Sequence, residues 1–296
     1  MNVSQDRTSL WRAGIIQIVG LVAYVVVAEV IVAVLRPTIG AEWLLPISLV
    51  LALVPAALWL AFFYAQDRLE PEPKVYVLGV AILGALLAAA VGQPLINDVF
   101  RVPEWIGTNR VTEILGSILI VGFIQEFLKY AAVRYSIYYS SEFDQRIDGV
   151  LYGTAAGLGY ATFINLSTAL GSGGINSAEL SAGIIRMVVV ALEQAALGGF
   201  IGYFIARTKF DDEPVWWMPA GITIAAIVNG LFSWLRGELT TSPLTISATG
   251  LSAGGYNPWP ALILAAIVAA GLLAVTFWLM RRANRLTLSG ADSDQQ

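Results

Sequence analysis

The chain has 296 residues, of which 57% are hydrophobic and only 13% charged, with a formal net charge of −4. A soluble globular chain carries about a quarter charged residues, so this composition predicts an integral membrane protein. Cysteine and histidine are both absent, which excludes disulfides, thiolate and imidazole metal ligands and any Ser-His-Asp triad, and no basic patch points to nucleic acid.

A membrane-crossing helix needs about 20 predominantly apolar residues. After a polar opening of residues 1–12, eight such runs follow: residues 14–35, 44–65, 75–96, 112–138, 147–170, 180–206, 215–235 and 258–280. The first has no small-residue cleavage site after it and reads as a retained span. Short connections rich in turn residues separate the runs, and the longest, residues 236–257, is rich in Thr, Ser and Gly. The expectation is an all-α, polytopic bundle of about eight transmembrane helices, with residues 1–286 as one domain. Residues 287–296 are small and polar with two Asp, and predict a disordered tail.

Lys and Arg fix the orientation of such a chain. With the N-terminus inside, Arg7, Arg12, Arg68, Lys74, Arg134, Arg146, Arg207, Lys209, Arg281, Arg282 and Arg285 gather on one side. Only Arg36, Arg101, Arg110, Arg186 and Arg236 fall on the other. Both termini are therefore expected in the cytoplasm.

The fourth run carries Gln125, Glu126 and Lys129 at membrane depth. An ionised group there costs roughly 2.5–3.5 kcal/mol even on the lenient insertion scale. On a helix Glu126 and Lys129 share a face, acid before base, and Gln125 lies one turn from Lys129. Asn165 stands in the fifth run, Arg186, Glu193 and Gln194 in the sixth, and Asn229 with Ser233 in the seventh. Arg186 and Glu193 are seven apart and so lie on one face. Glu29 in the first run is an isolated acid without an assigned role. These groups form either a polar intramembrane pocket or a set of interhelical hydrogen bonds and buried ion pairs. For the lone Asn and Ser residues, hydrogen bonds of about 0.6 kcal/mol are the simpler account. The spacings Gly153-x-x-x-Gly157, with Gly159 beyond, and Gly198-x-x-x-Gly202 mark helices that approach closely.

Five stretches in order resemble the PrsW family of intramembrane metalloproteases. They are Asp67-Arg68-Leu69-Glu70-Pro71-Glu72-Pro73-Lys74, the Gln125-Glu126…Lys129 helix, Asp148-Gly149-Val150-Leu151-Tyr152-Gly153 through Gly159-Tyr160-Ala161-Thr162, Gly198 to Tyr203, and Asn229-Gly230-Leu231-Phe232. The likeness spans residues 55–234. It implies a Glu-Glu-x-x-Lys helix, of which Glu126 and Lys129 match while Gln125 replaces the first acid. It also implies a Glu-Asn pair where this chain has Ile164 and Asn165. Gln194 and Asn229 stand where the family has histidines, and Ser233 where it has an aspartate. Of the expected acids and imidazoles, Glu126 alone remains.

Catalytic zinc needs three protein ligands drawn from thiolate, imidazole or carboxylate. Neutral amides in their place keep shape and hydrogen bonding without charge, so no metal or other cofactor is expected. The leading expectation is an inactive protease homologue, a pseudoprotease in the bacterial cytoplasmic membrane. It would act as a binding or scaffold subunit for a transmembrane partner helix. The alternative is an active protease with Glu126 and Glu193 as a paired-carboxylate centre, which close approach of the two acids would support. Ion pairing of each acid with a base would count against it. A transporter using the same polar seam is a third reading, for which no inverted repeat is evident.

Overall fold

The computed structural model describes residues 9–66, 73–170, 176–240, 244–247, 250–253 and 256–293. Most of the Asp67–Lys74 loop thus lies outside the described residues. Helix α1 is Ser9–Leu35 and α2 is Ala41–Gln66, the latter containing Pro46 and Pro55. Helix α3, Lys74–Leu87, runs on through two wide π-helical turns, Ala88–Gly92 and Leu95–Val99. Pro94 falls between them, where local widening accommodates its missing N–H. The short helix α4, Val102–Trp105, leads to α5, Arg110–Gly116, whose start is closed by a reciprocal Asn109–Thr112 capping box. A third π-helical turn, Ser117–Gly122, joins α5 to α6, Phe123–Arg134.

The second half consists of α7 (Arg146–Leu170), α8 (Ser177–Phe210), α9 (Trp217–Thr240) and α10 (Trp259–Ser293). Among the described residues, seven helical stretches are long and apolar enough to cross a membrane. The fifth expected span, α7, has the length but not the hydropathy. The reason lies in its surroundings: nearly every residue from Asp148 to Ala161 is buried, so protein rather than lipid solvates its small and polar side chains. An all-helical membrane bundle is therefore what the chain forms. One local departure from helix is a two-stranded antiparallel pair, Leu244–Ser247 with Gly250–Ala253, in the connection rich in Thr, Ser and Gly. At the C-terminus, α10 continues to Ser293 through most of the expected disordered tail. No proline interrupts this stretch, and each residue added to an existing helix gains a hydrogen bond.

Helix α8 is the axis of the bundle. In its most apolar stretch 94% of residues are buried, against 22–39% for the other candidate spans. Its longest contact is with α7, along a seam where each backbone faces the other without a side chain between. A Cβ on Gly153 would meet the Gly198 carbonyl, one on Gly157 the Gln194 carbonyl, and one on Gly202 the Gly149 carbonyl. On its other side, α7 meets α3, where Gly159 lies against the Ala81 carbonyl and Gly84 against the Ala156 carbonyl. Gly122, at the start of α6, faces the carbonyl of Ala226 on α9. These close approaches bring α6, α8 and α9 together at one depth.

At the end bearing the α8–α9 connection, Arg146 pairs with Asp211 at 2.7 Å, and Arg207 pairs with Asp211 at 2.9 Å and with Glu213. Arg207 also lies over the Trp217 ring. This partly buried network of charge and aromatic rings is what a membrane–water boundary favours.

Candidate functional site

Helix α6 presents Gln125, Glu126 and Lys129 towards α8 and α9. The Lys129 ammonium donates to Glu126 Oε1 at 2.7 Å and to Gln194 Oε1 at 2.8 Å. Gln194 Nε2 passes a hydrogen bond on to Gln125 Oε1 at 3.0 Å. Asn229 Nδ2 donates to that same oxygen at 3.0 Å and to Glu126 Oε1 at 2.6 Å. The five side chains thus close a ring, Lys129 to Gln194 to Gln125 to Asn229 to Glu126 and back. Both charged side chains in it are 0% exposed. Burying such a pair is tolerable only because every charge meets an opposite charge or a dipole.

The ring contains five of the ten residues singled out in the sequence, and the others lie elsewhere. Asn165 is buried and donates to the Met187 carbonyl of α8 at 3.0 Å, a helix-to-helix bond away from the ring. Ile164 packs with Ala88, Leu128 and Tyr160 in an apolar cluster beside it. Ser233, one turn beyond Asn229, faces a different cavity together with Arg186 and Arg236. Arg186 and Glu193, although on one face of α8, form no ion pair; the Glu193 carboxylate lies 3.9 Å from Arg236 of α9 instead. Arg236, which the Lys and Arg count sets on the side opposite the termini, is turned by helix packing towards the cavity and Glu193. Glu29 accepts a hydrogen bond from Ser181 of α8, 2.7 Å from each oxygen.

The donors do not fit a catalytic metal. Among the described residues no group of three Asp, Glu, His or Cys could hold one. Glu126 Oε2 is buried without a hydrogen-bond partner and would offer a single anionic ligand. Its neighbours are neutral amides and an ammonium group, which repels a dication. The two acids are also each met by a base, Glu126 by Lys129 and Glu193 by Arg236. That arrangement disfavours a shared-proton carboxylate pair.

The ring makes a direct prediction for Asn229. Asn229→Leu, of similar size, removes the donor that bridges Gln125 and Glu126. A loss of about 1–3 kcal/mol is expected, the cost of leaving buried acceptors under-satisfied. It would be read as a lowered unfolding midpoint in detergent, while a midpoint equal to the native chain's would mean the ring is not closed in solution.

The profile of the PrsW family, described as PrsW family intramembrane metalloprotease, matches residues 72–251. This stretch begins and ends about 17 residues later than the 55–234 expected from the motifs. Protease PrsW of Bacillus subtilis is 25% identical over 190 residues, covering 64% of this chain and 82% of its own length. Protease PrsW of Shouchella clausii is 26% identical over 244 residues, covering 82% of this chain and 100% of its own. Protease PrsW of Geobacillus kaustophilus is 25% identical over 182 residues, 61% and 76% of the two lengths. No solved structure matches the chain. The matched stretch contains every member of the buried ring on α6, α8 and α9, and the chain belongs to the PrsW family.

Proposed function

We propose that this chain is a PrsW-family membrane protein that keeps the enclosure of the family's site without metal-dependent hydrolysis. It serves as a binding or scaffold subunit for a transmembrane helix of a partner, in a bacterial cytoplasmic membrane with both termini in the cytoplasm. One observation carries the reading: the Gln125–Glu126–Lys129–Gln194–Asn229 side chains close a ring of hydrogen bonds that leaves only Glu126 Oε2 without a partner. The ammonium of Lys129 supplies the positive charge that Glu126 needs, and the amides bond to one another. Such a ring stabilises the bundle, because a buried polar network that is nearly complete rigidifies its surroundings. It leaves no route to a metal-activated water, since a metal that lowers water's pKa to about 7 must be held by anionic or imidazole ligands with one position open.

Reconstitution in liposomes with single-span membrane proteins tests the proposal. Neither the native chain nor Glu126→Gln should cleave them, and protein purified without added ions should carry no stoichiometric metal. Cleavage by the native chain that Glu126→Gln abolishes would overturn the reading in favour of an active protease. Cross-linking from the membrane then identifies the partner helix.

A further inference from the structure

Two cavities meet at the end of the bundle opposite the Arg207–Asp211 network. One, of about 160 Å³, lies between α8, α9 and the start of α10, with Arg186, Ser233, Arg236, Thr240 and Tyr256 in its wall. The other, of about 390 Å³, lies between α2, α7 and α8 and is mainly apolar, with Ile47, Leu51, Leu180, Ile184 and Met187 in its wall. Arg186 and Tyr256 border both. Glu179, at the edge of the apolar cavity, is already engaged by the backbone N–H of Asn176.

The charge in the polar cavity is unbalanced. Arg236 has Glu193 at 3.9 Å. Arg186 has no acid within ion-pair distance among the described residues. Two guanidinium groups therefore face one cavity against a single carboxylate. Arginine forks match the oxygens of phosphate in paired hydrogen bonds, and Ser233 adds a hydroxyl at the wall, whereas that of Thr240 donates to the Arg236 carbonyl.

Depth points to the source of that phosphate. Arg207 sits in the charged and aromatic boundary at one end of α8. Arg186 is twenty-one residues away on the same helix, and at ~1.5 Å per residue this is about 31 Å. The hydrocarbon core of a bilayer is about 30 Å thick, so Arg186 lies at the headgroup level of the opposite leaflet. From there the apolar cavity offers a path for a chain, and its size falls in the range of about 300–1,000 Å³ typical of ligand sites.

We propose that the paired cavities form one site for an anionic phospholipid, its phosphate between Arg186 and Arg236 and an acyl chain along α2 and α7. The site is separate from the buried ring and does not depend on whether that ring catalyses anything.

Full-length protein in mild detergent is mixed with dioleoyl-phosphatidylglycerol, dioleoyl-phosphatidylcholine or sodium phosphate alone, and bound lipid is counted by native mass spectrometry. The native chain should retain one phosphatidylglycerol about tenfold more tightly than phosphatidylcholine, a difference of about 1.4 kcal/mol. Arg186→Gln should lose that preference with an unchanged lipid-free unfolding midpoint, and Arg186→Lys should keep part of it. Leu51→Trp, which fills the apolar cavity, should lower lipid retention with both arginines intact. Equal retention of the two lipids by the native chain, or undiminished preference in Arg186→Gln, would overturn the proposal. So would full displacement of the lipid by an equal concentration of phosphate, which would assign the polar cavity to a free anion.

Discussion

Lys129→Met is expected to destabilise the protein by about 3–5 kcal/mol, because it strands the Glu126 carboxylate as an uncompensated buried charge. Both side chains are 0% exposed and their contact is 2.7 Å, so water has no access to take over the lost partner. The informative comparison is the double variant Glu126→Gln/Lys129→Met. With the acid neutralised, nothing charged is left unpaired, and replacing a whole buried pair is often neutral or favourable. Most of the stability lost in the single variant should therefore return. Unfolding midpoints of the four proteins in one detergent complete the cycle. If the double variant is as unstable as Lys129→Met alone, the pair is not the reason for the loss, and the lysine stem's packing is.

The second large effect belongs to the α7–α8 seam. Gly202→Val is expected to cost ~3 kcal/mol or more, the upper end of the penalty for overpacking. The added Cβ would run into the backbone carbonyl of Gly149, and a carbonyl in a helix cannot swing aside as a side chain can. The two helices would have to part, and Gln194, placed by the same seam through Gly157, would be drawn from Lys129. Gly20 is the control, since a Cβ there meets nothing within 4 Å. Gly20→Ala should leave the midpoint unchanged or raise it slightly, as alanine favours helix over glycine. Equal losses in the two variants would show that the close approach does not set the effect, since propensity alone favours alanine at Gly20.

Much of the site could be read in the chain, for reasons specific to each residue. Glu126 and Lys129 are visible because ionised groups three residues apart in an apolar run have few alternatives to pairing. Gln194 and Asn229 give a weaker signal, as a lone amide in a span is ordinary, and the resemblance to PrsW proteins adds weight to their place among the polar groups of the spans. Asn165, Ile164 and Ser233, which the resemblance sets at degenerate positions of the family's site, lie outside the ring. Periodicity along one helix cannot say which neighbour a face meets, and these three meet α8, an apolar cluster and the arginine cavity. The same limit explains Glu193. It shares a helix face with Arg186, yet the packing of α9 brings Arg236 to it. The π-helical turn Ser117–Gly122 was also hidden. It accommodates an extra residue and rotates α6 relative to α5, so a uniform 3.6-residue period drawn from α5 would misplace the facing of Glu126. The apolar runs located the spans, α7 included, although α7 is the least hydropathic of them because a helix wrapped by protein has no need of lipid-compatible side chains.

The burial of α8 has a consequence for how the protein is made. A ribosome delivers this helix before α9 and α10, the two elements that later cover much of it. On leaving the insertion channel it can travel with α7, to which its glycines already fit. Glu193, however, must wait for Arg236, and Gln125 and Glu126 must wait for Asn229, 104 and 103 residues further along the chain. The nascent bundle therefore passes through a stage in which its acids lack part of their final partners.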